Sequence, residues 1–233
     1  MGQVPTIYKS YLIIGGGRLA THLTYYFNQM RLPYYQWTRN NDNNTLSSFL
    51  QLSEKVLLAV SDDSIEQLSK RIKNKIVIHF SGVLSTPFAE GVHPLFTFGF
   101  DSYDKSTYES IPFVTEKNRK SFNELFPELT NPSFKIDKKD KVLYHTWSSM
   151  AGNFSSILIM EYAKKLIKMG LSPNLAKPFL TQMLHNSLAN QRALTGPIDR
   201  GDKKTIKKHL DEIDKDFKTI YNAFLTLKTN QRL

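Results

Sequence analysis

Cysteine is absent from the 233 residues of this chain. Disulfides, thiolate metal sites and cysteine nucleophiles are therefore excluded, whereas the redox compartment stays open. Long apolar runs are also lacking: none approaches the roughly 20 residues that a membrane-spanning helix needs, and no signal-peptide pattern opens the chain. We expect a cytoplasmic protein with no membrane partner.

Blocks of a single charge sign are lacking too, although the formal net charge is +10. Such a charge attracts nucleic acid, acidic membranes or phosphorylated small molecules, and composition alone does not choose among them. Near the C-terminus basic residues are followed by acidic ones: Lys203, Lys204, Lys207 and Lys208, then Asp211, Glu212, Asp214 and Asp216. This interleaving favours a solvated helix face over a nucleic-acid patch, so we predict no nucleic-acid partner.

Short apolar runs alternate with helix-period segments over the first hundred residues. This alternation is typical of strand and helix units that feed a mostly parallel sheet. The predicted strands are Tyr11 to Ile14, Tyr34 to Trp37, Val56 to Val60, Ile76 to Phe80, Ile111 to Val114 and Phe134 to Ile136.

Strand signals stop near Asp140, and three long helical patterns follow at Lys141 to Met169, Pro173 to Leu194 and Lys203 to Leu227. Apolar residues from Ile206 to Leu227 recur in steps of three and four, which predicts one seam along a single helix. We therefore predict an α/β Rossmann-type domain over residues 1–138 and an all-helical domain over residues 139–233.

A glycine-rich turn follows the first predicted strand and leads into a helix pattern. It fits G-x-G-x-x-A, the phosphate-binding turn of dinucleotide-binding domains. Free N–H groups and the positive end of the helix would face the phosphates. The predicted cofactor residues are Gly15, Gly16, Gly17, Arg18, Leu19 and Ala20.

The end of the second strand bears on the choice between NAD and NADP. NAD enzymes usually place an acid there, but this chain has Thr38, Arg39 and Asn40. The hydroxyl, the guanidinium and the amide of these three side chains suit a 2′-phosphate. Asp42, further into the loop, is the competing NAD interpretation. We favour NADP(H).

The third and fourth strands also end at candidate cofactor residues. Val60 and Ser61 follow the third strand and Ser81 follows the fourth. We predict that Asp63 and Glu66 form a capping pair for the next helix, with a place near the cofactor as the alternative.

Several short strings resemble the Rossmann-like NADP oxidoreductases related to pyrroline-5-carboxylate reductase, whose C-terminal half is a domain of unknown function, number 2520. The likeness spans nearly the whole chain. It rests on residues 13–20, 79–82 and 91–95, on Tyr144 with His145, on Gly152 with Asn153, and on residues 194–202.

The resemblance implies an NADP-binding domain, a helical domain and a homodimer that completes the cleft. It supplies no substrate. Related dehydrogenases use a helical lysine as proton donor, but no lysine lies between His145 and Tyr162. His145 and Asn153 are therefore the candidate catalytic residues.

His93 and Arg200 are candidate substrate residues. Arg200 either clamps a substrate carboxylate or pairs with Asp199 or Asp202 to fix the turn before the last helix, and Asp202 is suited to cap that helix. We predict an NADP(H)-dependent oxidoreductase that acts on a small imine or carbonyl compound. The alternative is a dinucleotide-binding or sensor protein without turnover.

Overall fold

The computed structural model describes residues 10–189 and 194–231. These residues form two compact units, one ending at Ser155 and the other beginning at Ser156. The first unit therefore includes the helix that begins at Lys141, which the sequence analysis assigned to the helical domain.

Seven short strands form one sheet in the first unit. They are β1 (Tyr11–Ile14), β2 (Tyr34–Trp37), β3 (Lys55–Leu58), β4 (Ile76–His79), β5 (Glu90–Pro94), β6 (Phe113–Glu116) and β7 (Ser133–Ile136). Their order across the sheet is β2-β1-β3-β4-β5-β6-β7. All neighbours are parallel except β5 and β6.

Helices connect the strands of this unit. They are α1 (Arg18–Gln29), α2 (Asn43–Leu52), α3 (Asp62–Arg71), α4 (Lys105–Ser110), α5 (Phe122–Leu125) and α6 (Lys141–Ser149), with a 3₁₀ turn at Lys138–Asp140. A π-turn at Met150–Phe154 continues α6 into α7 (Ser155–Lys168).

The period-two pattern of the strands places alternate side chains on opposite faces of the sheet. Ile13 packs with Leu23 and Phe27 of α1 on one face. Leu12 packs with Ile65 of α3 on the other. Helices on both faces of a mostly parallel sheet make the first unit a Rossmann-type α/β fold, which confirms the predicted class.

Helices make up the second unit. After α7 come a 3₁₀ turn at Pro173–Ala176, α8 (Lys177–Ala189), α9 (Gly196–Arg200), α10 (Lys203–Glu212) and α11 (Lys215–Gln231). The helix predicted over Pro173 to Leu194 corresponds, as far as Ala189, to this 3₁₀ turn and α8. Residues 190–193 lie outside the described part of the chain. No helix in the described ranges is long and apolar enough to span a membrane.

One predicted helix needs correction, and one strand was not predicted. The final helix predicted over Lys203 to Leu227 is two helices, because Ile213 is extended at φ −81° and ψ 146°. Asp214, between them, pairs with Lys165 at 2.6 Å. Strand β5 was missed because Gly91, His93 and Pro94 interrupt any apolar run there.

Candidate functional site

A cleft of about 580 Å³ opens at the carboxyl ends of β1, β2 and β3. The chain leaves β1 for β2 on one side and returns to β3 on the other, and ligands of doubly wound sheets bind at such a switch point. The lining residues are Ile14, Gly15, Gly16, Gly17, Arg18, Leu19, Trp37, Thr38, Arg39, Ala59, Val60, Ser61, Ser64, Gln67 and Leu68.

The glycine turn is shaped by contact between strands. Gly15 has φ +143°, and a Cβ there would collide with the carbonyl oxygen of Ala59. Gly17 caps α1 without a side-chain hydrogen bond, and the first turn of α1 contains no acid. A Cβ at Gly17 would meet no atom within 4 Å. Uncapped N–H groups at an open helix start suit a phosphate group.

Ala20 lies beneath this turn and is fully buried in the core. It therefore allows close packing of α1 on the sheet, as the motif requires, rather than lining the cleft.

The loop after β2 brings Thr38 and Arg39 to the cleft. The amide oxygen of Asn41 accepts from the Thr38 backbone N–H at 2.8 Å and lies 3.1 Å from the Thr38 hydroxyl. Asn40 is exposed and is not among the residues lining the cleft. Asp42 caps α2 by accepting from the Thr45 N–H at 2.7 Å. The backbone bond from Thr45 lowers the pKa of this carboxyl.

Val60 and Ser61 line the cleft after β3, together with Ser64 and Gln67 of α3, which the sequence analysis missed. Their i, i+3 spacing on the first turns of a helix was the available signal. The capping pair predicted for Asp63 and Glu66 is wrong. Ser61 is the N-cap residue of α3, and Glu66 pairs with Lys70 at 2.6 Å.

Ser81 holds the loop after β4. Its hydroxyl donates to Asp62 at 2.6 Å and accepts from the backbone N–H groups of Val83 at 3.2 Å and Leu84 at 2.9 Å. It does not line the cleft. These bonds shape the turn at Gly82.

His145 packs on that turn. A Cβ at Gly82 would collide with the imidazole ring of His145. The ring centroids of His145 and His93 are 5.2 Å apart at 84°. Nδ1 of His93 lies 2.9 Å from the Tyr144 hydroxyl. Two predicted site residues, far apart in sequence, are thus brought together beside the loop after β4.

Burial keeps two histidines of this region neutral. Desolvation lowers the pKa of His93 to about 4, with the His145 and Lys141 charges adding to the shift. Desolvation and the Lys141 charge likewise lower the pKa of His79 to about 4. Nδ1 of His79 accepts from the Ser81 N–H at 3.2 Å, and its buried Nε2 has no hydrogen-bond partner.

These pKa values predict how stability depends on pH. The unfolded chain takes up protons on both histidines as pH falls from 6.5 to about 4, whereas the folded chain does not. The free energy of unfolding should therefore be greatest above pH 6.5 and fall by about 1.4 kcal/mol per pH unit per histidine within that window.

Denaturant titrations at a series of pH values measure this slope. His93→Gln should roughly halve it, while the exposed His185→Gln should leave it unchanged. A flat free energy of unfolding between pH 6.5 and 4 would contradict the two depressed pKa values.

A buried ion pair that the sequence analysis missed lies one helical turn before His145. Lys141 Nζ is 2.9 Å from Glu116 Oε1, and the two side chains are 5% and 8% exposed. Lys141 also donates to the Leu84 carbonyl, and Glu116 accepts from the Ser85 hydroxyl at 2.7 Å. Burial raises the pKa of Glu116, but the hydrogen bonds from Ser85 and Lys141 outweigh it, so the net shift is downward. The pair fixes α6 to β6 and to the loop under His145.

Asn153 lies in the π-turn, eight residues after His145, and is exposed. Eight residues of α-helix turn by about 800°, which would leave the two residues about 80° apart around the axis. A π-turn adds about one residue to its turn and brings them back to within about 20°. We therefore expect the irregular turn to bring Asn153 closer to the His145 face of the helix than a regular α-helix would.

Arg200 lies in the second unit, at the end of α9. It lines a cleft of about 610 Å³ with Lys203, Lys207 and Lys228, among others. Asp199 pairs with Lys228 at 3.1 Å. Asp202 caps α10 by accepting from the Thr205 N–H at 3.0 Å, as predicted.

One sequence family matches the chain, and it covers residues 111–227. Its description is Domain of unknown function (DUF2520). No curated protein matches the sequence significantly.

Solved structures similar to this chain share its fold at low sequence identity. A Bacteroides fragilis protein classed as an NADP oxidoreductase has 17% identity and a TM-score of 0.73, with 94% of this chain and 96% of that chain covered. A protein from Thermotoga maritima has 23% identity and a TM-score of 0.62, with 94% of this chain and 97% of that chain covered. Plasmodium falciparum pyrroline carboxylate reductase, solved with NADP bound, has 16% identity and a TM-score of 0.59, with 93% of this chain and 94% of that chain covered.

Proposed function

This chain belongs to the family of the domain of unknown function DUF2520, and from that premise we propose that it is an NADP(H)-dependent oxidoreductase acting on a small imine or carbonyl compound. The observation that carries the proposal is the glycine-lined cleft at the β1 and β3 switch point, where α1 begins without a side-chain cap. Similar folds in an NADP-bound reductase and in imine reductases support it.

The residues of the cleft fit NADP(H). Gly15, Gly16, Gly17 and the first turn of α1 would hold the pyrophosphate, with Arg18, Leu19 and Ala20 shaping the turn. Thr38 and Arg39 would face the 2′-phosphate, whereas Asn40 does not line the cleft. Val60 and Ser61 would border the nicotinamide side, while Ser81, which does not line the cleft, would hold the adjacent loop through its bond to Asp62. Bound NADP(H) supplies or accepts the hydride.

The proposed proton donor is His145. A histidine suits proton transfer near neutral pH, and its contact with Gly82 holds the ring beside the carboxyl ends of the strands. During reduction the proton goes to the substrate nitrogen or oxygen while the neighbouring carbon receives the hydride. Asn153 would orient that polar atom, and His93 and Arg200 are proposed substrate contacts.

We expect NADP(H) to bind more tightly than NAD(H), and Arg39→Ala to weaken NADP binding by about 10- to 100-fold while leaving NAD binding unchanged. The physical reason is the loss of a charge-assisted bond to the 2′-phosphate. Calorimetry measures both affinities. Arg71→Ala removes an exposed arginine outside the cleft and is the matched control. Equal affinities of the wild type for both cofactors would contradict the assignment.

Turnover itself is tested by following nicotinamide absorbance with a panel of imino, keto and semialdehyde acids. Unchanged absorbance with every compound, despite tight NADP binding, would favour the second candidate, a dinucleotide-binding or sensor protein. One observation supports that candidate: Lys141, the lysine on α6, is buried in its ion pair with Glu116, so its ammonium is not free to donate to a substrate.

The second unit supports a proposed homodimer. Its buried apolar residues, in the part that the structure describes, are Leu166 and Ala176 alone. Phe179, Leu184 and Leu188 of α8 are all exposed. So small a core cannot stabilise a helical unit of this size, and a second copy of the chain would cover these faces.

A cytoplasmic location of the protein remains a prediction.

Light scattering should therefore give twice the chain mass. Replacing both Leu184 and Leu188 by Asp should shift the protein toward monomer, because the charges would be buried unpaired in the interface. Leu52→Asp, at an exposed leucine of the first unit, is the control and should leave the mass unchanged. A wild-type protein that is monomeric at high micromolar concentration would contradict the proposed homodimer.

A further inference from the structure

Two loops beside the predicted site contain no basic residue. Residues 80–89, after β4, carry no charge at all, and residues 95–104, after β5, carry only Asp101 and Asp104. The whole chain has 31 lysines and arginines. Because β4 and β5 are parallel, both loops leave the sheet at the edge where His145 packs on Gly82.

The loop after β5 is fixed against α1. Nε2 of the buried His22 lies 3.1 Å from the Gly99 carbonyl oxygen, and Nδ1 lies 2.8 Å from the Tyr108 hydroxyl. The His22 ring also stacks on Tyr103 at 4.9 Å. Arg18 donates to the Phe98 carbonyl at 3.3 Å. The loop thus extends from the end of β5, the strand that contains His93, to the phosphate-binding turn.

Apolar side chains of these loops remain exposed although the backbone is anchored. We call Val83, Leu95, Phe96 and Phe100 the apolar wall. Phe88 of the first loop is exposed as well, but Nζ of Lys70 lies 5.1 Å from its ring centroid, and it is not part of the wall. Phe100 is 85% exposed, and its ring centroid lies 4.3 Å from the Arg18 guanidinium carbon. Exposed aromatic side chains held in place next to a polar site form a surface suited to an apolar ligand.

We propose that the substrate is a ring-bearing imine or ketone without a carboxylate, and that its ring lies on the apolar wall. This inference rests on the proposed function. A ring there would be removed from water. A carboxylate against these loops would lose hydration, and the cations beside them are already engaged: Lys141 is paired with Glu116, and Arg18 donates to the Phe98 carbonyl and lies against the Phe100 ring.

Product binding tests the proposal without requiring turnover. The full chain, saturated with NADP⁺, is titrated by calorimetry with tetrahydroisoquinoline and with tetrahydroisoquinoline carboxylate, which share ring and nitrogen. We expect the amine without the carboxylate to bind at least about tenfold more tightly. Phe96→Ala and Phe100→Ala should each erode this preference. Phe88→Ala, at an exposed phenylalanine outside the apolar wall, should not.

The NADP⁺ affinity of each variant is measured in parallel, so that an effect of Phe100 through Arg18 is separated from loss of the wall. Equal or tighter binding of the carboxylate would overturn the proposal and favour Arg200 as a carboxylate clamp. Failure of both amines to bind the NADP-loaded chain would also overturn it, while leaving the cofactor assignment intact. Failure of NADP⁺ to bind would instead remove the proposed function and this inference with it.

Discussion

Replacing His145 by Gln is expected to lower kcat by about 10²- to 10⁴-fold, the contribution typical of a positioned proton donor. Glutamine keeps a polar group of similar reach but supplies no proton near neutral pH. The glycine-lined cleft does not include His145, so NADP binding should not change. Steady-state kinetics and calorimetry on the same preparations measure the two effects.

His185→Gln is the matched control, because His185 is an exposed histidine of the second unit. Its kcat should equal that of the wild type. A wild-type kcat for His145→Gln would end the proton-donor role. A fall in NADP affinity as large as the fall in kcat would indicate a binding role instead.

Lys141→Met is expected to lower the free energy of unfolding by about 3–5 kcal/mol, because it leaves the buried Glu116 carboxylate without its cation. The same change should lower kcat, since Lys141 ties α6 to the loop on which His145 packs. Chemical denaturation and kinetics measure the two losses.

Two further variants separate charge from packing. Lys141→Met combined with Glu116→Leu removes both charges and should recover much of the stability, because a buried pair can be replaced by apolar residues of similar volume. Lys165→Met breaks an exposed pair with Asp214 and should change stability little. Equal losses in the single and double variants would show that packing, rather than the ion pair, stabilises this region.

Local periodicity determined most of the first unit. The runs at Tyr11–Ile14 and Tyr34–Trp37 were predicted with their observed bounds. Tyr11–Ile14 is a continuous apolar run, as a strand buried between helices needs, and Tyr34–Trp37 is an aromatic-rich run at the edge of the sheet. The glycine turn was predictable for a similar reason. Its conformation depends on residues adjacent in sequence, and the first helix pattern follows at once.

Features made by distant residues were not predictable. The ion pair of Lys141 with Glu116 joins residues 25 positions apart, and the packing of His145 on Gly82 joins residues 63 apart. Strand β5 depends on pairing with β4 and β6 more than on its own residues. The break between α10 and α11, before Lys215, could not be predicted, because the apolar residues keep their helical spacing through Ile213.

The sequence by itself therefore determined the fold class and the glycine-lined cleft, because both follow from side-chain periodicity and backbone freedom within short segments. Only the tertiary structure decided what surrounds His145: which histidine it meets, which glycine it rests on, and which buried charges hold its helix. Contacts of this kind arise when the sheet brings loops from separate strands to one edge, and no local pattern records them.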